Sequence, residues 1–383
     1  MTNILFDLIS IQSFINGGGE YTKKILNELA KNKDIRIWGL YDSRLQFIGK
    51  DKAFSYECCT DLLDISKHNI SYYISHHNID TFFIGIAQRY FKYDLTHITC
   101  RTLVTIHDIG DLEGYSNNLH FLYKKNIKGW LRINADFLPG INNFAGLRKA
   151  RKRYANIIPL LLQETTEIIT VSNYTSSSIR YYLPELENKN IRVLYPPEKI
   201  TPPEGVAESN KVKALIDKKI KFFLLVNANR GNKNALLVYK VFKRLQKAHK
   251  DLYLVLIGDK SYQAENIITL DFLSSSDLEL LYKNAYALIY ASLLEGFGYP
   301  PLEAMKYGTP VLSSNVCSMP EVLKDAAIYF SPFYESDLYD KIISIAEIRQ
   351  DYVRKSLDRH KEITNKQKDD LAKTIKLLLN QLD

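Results

Sequence analysis

The chain is organised by a repeated alternation of short apolar runs with longer amphipathic stretches. Several short runs are rich in valine, isoleucine and phenylalanine with little polar alternation, which is typical of strands buried on both faces of a parallel sheet. The amphipathic stretches between them indicate covering helices, and residues 20–31 place Ile25, Leu26, Leu29 and Ala30 on one helical face. We therefore predict an α/β protein.

Twelve runs are predicted to be strands. They span residues 3–8, 35–41, 80–85, 102–107, 167–171 and 191–195, and then 221–228, 252–257, 267–270, 287–291, 310–313 and 327–330. Helices are predicted at residues 234–249, 276–284, 301–307 and 320–323, and residues 337–383 are helical in pattern almost throughout. Between the two sets of strands, residues 196–213 hold four prolines and a glycine, which is typical of a linker.

The two sets predict two doubly wound parallel-sheet domains of similar size, as a length of 383 residues allows. We expect a first domain at residues 1–198, a linker at 199–215, a second domain at 216–355 and a helical tail at 356–383. Ligands of doubly wound sheets bind outside the carboxyl ends of the strands. With two such domains facing each other, we expect the site in the cleft between them.

Composition excludes several other classes of protein. Four cysteines, two of them adjacent, exclude a disulfide scaffold and lack the C-x-x-C spacing of a zinc site, so we expect free thiols in a reducing compartment. No apolar run approaches the roughly 18 residues that a membrane span needs. The N-terminus lacks the basic region of a signal peptide. A cytoplasmic protein is expected.

The densest functional signal is residues 292–307, SLLEGFGYPPLEAMKY. A predicted strand ends just before it, and Gly296 and Gly298 let backbone N–H groups approach a ligand closely. Pro301 suits the first position of the following helix, whose N-terminus favours a phosphate. We place Glu303 in the first helical turn, where its carboxylate can accept hydrogen bonds from vicinal hydroxyls. With Glu295, these features suit a ligand that carries hydroxyls and a diphosphate, such as a nucleotide sugar.

A second cluster of candidate residues lies at 226–234, VNANRGNKN, between a predicted strand and a helix. Arg230 offers a planar fork and Lys233 a point charge, and both suit a diphosphate. Gly18 and Gly19 of the sequence Asn16–Tyr21 form a predicted tight turn after the first strand. His107 follows the apolar run TLVTI at another predicted strand end.

Residues 295–330, EGFGYPPLEAMKYGTPVLSSNVCSMPEVLKDAAIYF, resemble the signature of retaining glycosyltransferases of glycosyltransferase family 4. The hallmark of that family is E-x7-E, which Glu295 and Glu303 match. The resemblance covers most of the chain, more strongly in the second domain than in the first. It implies the GT-B fold, two Rossmann-like domains facing a central cleft, with a C-terminal helix that crosses back to the first domain.

The resemblance also implies roles for individual residues. The position of Glu303 binds the ribose hydroxyls, Glu295 faces the donor sugar, and the backbone of Gly296, Phe297 and Gly298 holds sugar hydroxyls. Arg230 and Lys233 neutralise the leaving diphosphate, although the family commonly spaces this pair by five or six residues and here the spacing is three. Gly18 and Gly19 border the donor phosphate or the acceptor. His107, in an H-D pair, contacts the donor sugar.

We therefore expect a retaining hexosyltransferase that uses a nucleotide sugar such as GDP-mannose or a UDP-hexose. The predicted catalytic residues are Glu295, His107, Arg230 and Lys233. The chain has no D-x-D sequence to hold a divalent metal on the diphosphate, so we expect no metal and no other cofactor. The acceptor is expected to be a growing, lipid-linked glycan of bacterial surface polysaccharide, O-antigen or capsule.

The net charge of +8 is concentrated in residues 121–160, where nine basic side chains face one acidic one. Leu147, Ala150, Tyr154, Ile158 and Leu161 add an apolar stripe to the second half of this segment. A basic amphipathic segment suits an anionic membrane surface. We expect peripheral docking on the inner face of the cytoplasmic membrane, with a solvated helix face as the alternative.

Three other functions fit parts of the pattern. A GT-B-like sugar-nucleotide epimerase would not need E-x7-E, and a phosphorylase would need a longer chain and a lysine that carries pyridoxal. A non-catalytic glycan-binding protein is the remaining alternative. No DNA- or RNA-binding motif accompanies the basic segment, so nucleic acid is not an expected partner.

Overall fold

The fold is taken from a computed structural model that describes residues 1–12, 17–45, 56–116, 141–199 and 207–381. The chain divides into two compact units. The first comprises Met1–Glu113, Phe144–Ile200 and Asn365–Asp383, and the second comprises Gly114–Asn143 and Thr201–Thr364. Both units are built on a parallel sheet, as predicted.

The first unit holds a sheet of seven strands. They are β1 (Thr2–Asp7), β2 (Ile35–Tyr41), β3 (Asp61–Asp64), β4 (Thr81–Ile84), β5 (Arg101–Ile106), β6 (Thr166–Thr170) and β7 (Ile191–Val193). Their order is β3-β2-β1-β4-β5-β6-β7, and neighbouring strands pair in parallel. The order reverses between β1 and β4, which is the switch point of a doubly wound sheet.

The second unit holds a sheet of six strands. They are β8 (Phe222–Leu225), β9 (Tyr253–Ile257), β10 (Ile267–Leu270), β11 (Ala287–Tyr290), β12 (Val311–Ser314) and β13 (Ala327–Phe330). Their order is β10-β9-β8-β11-β12-β13, again in parallel pairs, and it reverses between β8 and β11. The loops that follow β8 and β11 therefore leave the sheet side by side.

Helices cover these sheets. Those of the first half are Ile9–Gln12, Gly17–Leu29, Ile70–His76, Gly110–Ser116, Ile141–Ala155, Ile158–Leu162 and Asn173–Tyr182. Those of the second half are Asn210–Asp217, Ala235–Leu245, Ser275–Asn284, Tyr299–Met305, Met319–Leu323 and Glu335–Leu378. Apolar faces of the helices pack on the strands, as Val238 and Phe242 do on Phe223 and Leu254 of the second sheet. The α/β prediction is confirmed.

Two local predictions were wrong. Strand β3 was not predicted, because its sequence, DLLD, begins and ends with aspartate and is not an apolar run. It lies at the edge of its sheet. The predicted linker at 199–215 is interrupted by the helix Asn210–Asp217, which buries Val212 and Leu215. Those two apolar side chains are three positions apart and so share one face of the helix, and their burial outweighs the polar composition around them.

The triple glycine is not the predicted tight turn. Gly17, Gly18 and Gly19 are the first residues of the helix Gly17–Leu29, and the hydroxyl of Thr22 donates to the carbonyl of Gly18 over 2.9 Å. Asn16, the first residue of the predicted turn, lies outside the described residues. Gly18 and Gly19 are thus fixed as helical backbone.

The last helix, Glu335–Leu378, is a single element shared by both units, so the predicted tail at 356–383 is not separate from the second domain. Its residues up to Thr364 belong to the second unit, and those from Asn365 belong to the first. There, Ile375, Leu377 and Leu378 join the core around Ile4 and Phe6. The predicted return of the C-terminal helix to the first unit is therefore observed.

Candidate active site

The loops after β8 and β11 bring together the residues of the two strongest motifs. The ammonium group of Lys233 contacts the carboxylate of Glu295, and it donates a hydrogen bond to the Tyr290 hydroxyl over 2.9 Å. Ser292 donates from its hydroxyl to the Glu295 Oε1 atom over 2.7 Å. Lys233 is buried and the Glu295 side chain is 14% exposed. The two motifs are therefore joined in one site by an ion pair between Lys233 and Glu295, and both side chains are largely shielded from water.

The loop after β8 has a backbone that fixes Lys233. Residues Gly231–Lys233 form one turn of 3-10 helix, and Asn234 adopts the left-handed conformation with φ of 53°. Asparagine tolerates this region better than most residues. Its side-chain amide donates to the Pro332 carbonyl over 2.8 Å, which holds the turn in place.

Hydrogen bonds tie this loop to the loop after β11. The backbone N–H of Leu293 donates to the Asn232 carbonyl over 2.8 Å, and the Asn232 side chain donates to the Leu294 carbonyl over 3.1 Å. Ser318 adds a hydrogen bond of 3.1 Å to the carbonyl of Glu295. The two motifs are therefore held together through the backbone as well as through the ion pair.

Gly298 is the point at which the E-G-F-G loop turns into the next helix. Its φ of 92° is a conformation that side chains rarely adopt, and a Cβ atom there would collide with the side chain of Met319. The preceding Phe297 is buried and its ring packs edge-on against Tyr299 with centroids 5.6 Å apart. A glycine is thus required at 298 to start the helix here.

The helix begins two residues earlier than predicted, at Tyr299. Pro301 is therefore its third residue, not its first, and Pro300 is its second. Proline lacks an N–H group, so these two positions offer no donor to an anion and the helix end is a weaker phosphate site than expected. Glu303 is the fifth residue, outside the first turn, because the helix starts directly after Gly298.

Glu303 is held by a second tyrosine. The hydroxyl of Tyr282, at the end of the helix Ser275–Asn284, donates to the Glu303 Oε2 atom over 2.7 Å. Burial and the charge of Glu303 raise the pKa of Tyr282 well above its ordinary value, so the phenol keeps its proton. Glu303 as a whole is half-buried.

Arg230 differs from Lys233 in its surroundings. It precedes the 3-10 turn, and its side chain is exposed. Its backbone is fixed by hydrogen bonds to Asn227 and Lys233 of 3.0 Å each. The structure places Arg230 beside the site but does not join it to the Lys233–Glu295 pair.

His107 follows β5 at the carboxyl edge of the first sheet, where it was predicted. Its Nε2 atom lies 3.0 Å from the Gly85 carbonyl, which can only accept, so Nε2 carries the proton. Burial lowers the pKa of His107 to about 4, with the Gly85 hydrogen bond opposing the shift. The ring is therefore neutral near pH 7, and its Nδ1 atom is an acceptor.

Sequence reasoning missed Tyr290 and Tyr282. Both lie in stretches that were assigned only to a buried strand and a helix, and both are almost fully buried. The available signal was the hydroxyl itself, since a buried phenol needs a hydrogen-bond partner. At the last position of a strand at the switch point, that partner is expected to be a site residue.

Part of the basic segment, residues 121–140, lies outside the described residues. In the part that is described, Arg148, Lys149, Arg151 and Lys152 are exposed on the helix Ile141–Ala155. The predicted apolar stripe is not free to enter a bilayer. Its members Ala150, Tyr154 and Leu161 are at most 1% exposed, because they pack into the core of the first unit.

Residues 206–366 match the family model described as glycosyl transferases group 1. The O-antigen chain mannosyltransferase RfbU of Salmonella typhimurium is 28% identical over 208 residues, a stretch that covers 50% of this chain and 54% of that relative. The matched stretch therefore spans about half the length of this curated relative.

Solved structures resemble the chain over nearly its whole length. The match to the structure of Alr3699/HepE from Anabaena, in complex with UDP and glucose, covers 100% of this chain and 100% of that one. Its TM-score is 0.63 and the sequence identity is 13%. WaaG, a glycosyltransferase involved in lipopolysaccharide biosynthesis, covers 99% of both chains with a TM-score of 0.63 at 14% identity. At these identities the likeness concerns the fold, and it confirms the predicted GT-B architecture.

Within the described ranges, no helix combines the length and apolar character that crossing a membrane requires. The E-x7-E pair, the lysine that contacts its first glutamate and the six-stranded sheet that carries them all fall inside the matched residues. Residues 206–366 are therefore similar, over the whole of this site, to the family described as glycosyl transferases group 1.

Proposed function

We propose that the chain is a retaining glycosyltransferase that moves a hexosyl group from a nucleotide-diphosphate sugar to a hydroxyl of a glycan. The observation that carries the proposal is the buried contact of Lys233 with Glu295, at the switch point of the second sheet. A cation and a carboxylate that share one dry site suit a ligand that presents a diphosphate beside a sugar.

The chemistry assigned to these residues follows the charge that develops during transfer. Glycosyl transfer builds positive charge on the sugar and negative charge on the departing diphosphate. Lys233, with Arg230 at the exposed rim, would stabilise the diphosphate, and Glu295 would face the sugar. Glu303, held by Tyr282, would accept hydrogen bonds from the ribose.

Retention and independence of metals are parts of the same proposal. We assign the deprotonation of the acceptor hydroxyl to the leaving phosphate on the front face of the sugar, with no protein nucleophile. The ammonium of Lys233 would supply the charge that a divalent metal supplies elsewhere. Transfer is therefore expected to be unchanged by excess EDTA, and a loss that Mg²⁺ or Mn²⁺ restores would contradict this part.

The relatives narrow the substrates. RfbU is an O-antigen chain mannosyltransferase, and WaaG acts in lipopolysaccharide biosynthesis. These two relatives support a mannosyl or similar hexosyl donor and an acceptor that belongs to a bacterial surface polysaccharide. We place the transfer reaction in the cytoplasm. The base is expected near residues 270–273, where Phe272 is 70% exposed at the carboxyl end of β10.

A panel of nucleotide sugars tests the donor site by thermal shift. We expect a GDP- or UDP-sugar to raise the melting temperature, and Glu303→Ala to abolish that rise because the ribose loses its carboxylate. Glu265→Ala, an exposed glutamate in the same unit, is the matched control and should keep the rise. An equal rise in both variants would count against the site.

Turnover separates an enzyme from a glycan-binding protein or an epimerase. A glycosyltransferase releases free nucleoside diphosphate when donor and acceptor are both present. An epimerase would convert the donor without an acceptor, and a binding protein would release nothing. Either of those results would overturn the proposed reaction.

The exposed basic residues Arg148, Lys149, Arg151 and Lys152 support peripheral docking on an anionic inner-membrane surface by electrostatic attraction. We expect pelleting with anionic vesicles at low salt, lost at high salt and in a variant with Arg148→Glu and Lys152→Glu. A variant with Lys243→Glu and Lys247→Glu carries the same charge change on the second unit and should still pellet. Absence of pelleting by the unaltered protein at low salt would refute docking.

A further inference from the structure

Tyr290 joins the two charged residues of the candidate site. It is the last residue of β11 and is 3% exposed. Its hydroxyl accepts a hydrogen bond of 2.9 Å from Lys233, and the charge of Glu295 is near enough to raise its pKa. The Lys233 ammonium also lies 4.5 Å from the centroid of the Tyr290 ring. One buried side chain thus contacts Lys233 directly and lies beside Glu295, the other member of the ion pair.

The chemistry of a phenol fits this position. A hydroxyl accepts from an ammonium and donates to a carboxylate at the same time, whereas a second charged group would favour only one of them. Burial and the charge of Glu295 raise the pKa of Tyr290 well above its ordinary value, so the proton stays on the phenol. Tyr290 therefore remains a neutral link between opposite charges over the physiological pH range.

The link matters because a lysine side chain is flexible. Four rotatable bonds let its ammonium occupy many positions, and a site that binds a diphosphate benefits from having only one. The ring beneath the ammonium and the hydroxyl beside it restrict Lys233 to the edge of β11. Glu295 is restricted in the same way by Ser292.

We propose that Tyr290 is a positioning residue that orients Lys233 toward the diphosphate and Glu295 toward the sugar of the donor. The proposal rests on the proposed function, because it deepens the account of the same site. Tyr290 would act on the donor through Lys233, to which its hydroxyl is hydrogen-bonded.

Tyr282, on the helix Ser275–Asn284, offers a matched comparison within the same unit. It is equally buried and also holds a glutamate of E-x7-E, but it contacts Glu303 and lies outside the Lys233 cluster. Tyr290→Phe and Tyr282→Phe each delete one hydroxyl and keep the ring. If both tyrosines were merely structural, the two variants would affect ligands alike.

Calorimetry with inorganic diphosphate, and separately with a nucleoside, distinguishes the two roles. Tyr290→Phe should weaken diphosphate binding about tenfold, as expected for a lost hydrogen bond to a charged group, and leave nucleoside binding unchanged. Tyr282→Phe should do the reverse. With the full donor, Tyr290→Phe should lower kcat more than it raises KM, because the charge that Lys233 stabilises develops during transfer.

A second measurement keeps the hydroxyl in place, so it does not depend on how well the phenylalanine variant folds. With 3-fluorotyrosine incorporated at position 290, the ¹⁹F signal should move when inorganic diphosphate is added. It should not move when the nucleoside is added.

The outcomes separate failure of this inference from failure of the proposed function. Suppose that the unaltered protein turns over donor and acceptor, that diphosphate does not move the ¹⁹F signal, and that Tyr290→Phe binds diphosphate as tightly as the unaltered protein. The positioning role of Tyr290 is then wrong, and the proposed glycosyltransferase activity stands. If the unaltered protein binds diphosphate yet turns over no donor, the proposed function fails. Diphosphate binding that is weakened equally in both tyrosine variants would also refute the specific role of Tyr290.

Discussion

The two sheets share the same strand order, apart from one extra strand in the first, but carry different chemistry at their switch points. Between β1 and β4, the carboxylate of Asp7 is fully buried and accepts from the backbone N–H groups of Ser10 and Gly85, each over 2.9 Å. Between β8 and β11, the carboxylate of Glu295 keeps some exposure and contacts the Lys233 side chain. The first carboxylate is held by backbone N–H groups and the neutral hydroxyl of Ser10, and the second contacts a charged side chain.

This difference indicates which switch point serves an anionic ligand. Burial raises the pKa of Asp7, and its hydrogen bonds shape the loop between β1 and the helix Ile9–Gln12. The neighbouring His107 is neutral. At the second switch point, Lys233 and Glu295 are joined through side chains, which can exchange partners when a diphosphate enters. The first edge is therefore suited to uncharged hydroxyl groups and the second to phosphate.

The largest expected effect comes from removing the buried cation. Lys233→Ala should lower kcat/KM roughly 1000-fold, the upper range for losing one group that stabilises a developing oxyanion. Arg230→Ala is the matched control, and its loss should be about tenfold or less, because water screens an exposed cation. Initial rates of nucleoside diphosphate release measure both. Equal losses would remove the distinction between a buried and an exposed charge.

A smaller effect tests whether His107, at the carboxyl edge of the first sheet, is neutral in the folded protein. Because the pKa of folded His107 lies near 4 and the unfolded value near 6.5, the unfolded chain takes up a proton first as pH falls. The stability that neutral His107 contributes is thus complete above pH 6.5 and is lost toward pH 4.

We expect this loss to be on the order of 2 kcal/mol. His107→Gln keeps a donor for the Gly85 carbonyl and should reduce the loss, measured by urea unfolding at pH 7 and pH 4.5. His249→Gln, on the second unit, is the control. An unchanged pH dependence in His107→Gln would mean that the ring is charged in the folded protein.

The smallest effect tests whether the carboxylate of Glu295 competes with diphosphate for Lys233 at the second switch point. Glu295→Gln removes the carboxylate that neutralises Lys233, so inorganic diphosphate should bind about tenfold more tightly, equivalent to ~1.4 kcal/mol. Transfer should fall at the same time, since the sugar loses its partner. Calorimetry and turnover measure the two effects. Asp7→Asn in the first unit should not change diphosphate affinity, and weaker binding by Glu295→Gln would refute the competition.

Much of the fold follows from sequence because buried parallel strands are continuous apolar runs. The strands Ile35–Tyr41, Ile267–Leu270 and Ala327–Phe330 have their predicted bounds. Strand β3 was not predictable in this way, because an edge strand needs no uninterrupted apolar run.

The site was predictable where local sequence carries the chemistry. Lys233, Glu295 and Glu303 were identified from motifs, whereas Tyr290 was not, because its role depends on a contact with a residue 57 positions away. The start of the helix at Tyr299 was also missed. It is set by the conformation of Gly298 and by Met319, which no local proline rule includes.

The helix Glu335–Leu378 has a consequence for the order in which the protein matures. The core around Ile4 and Phe6 includes Ile375, Leu377 and Leu378, which are translated after residues 201–364 of the second unit. Chains usually fold domain by domain from the N-terminus as they emerge. Here the unit that contains β1 lacks part of its core until residues 375–378 are translated, whereas residues 201–364 of the second unit precede them in the chain. The core of the first unit can therefore be completed only after that stretch of the second unit has been made.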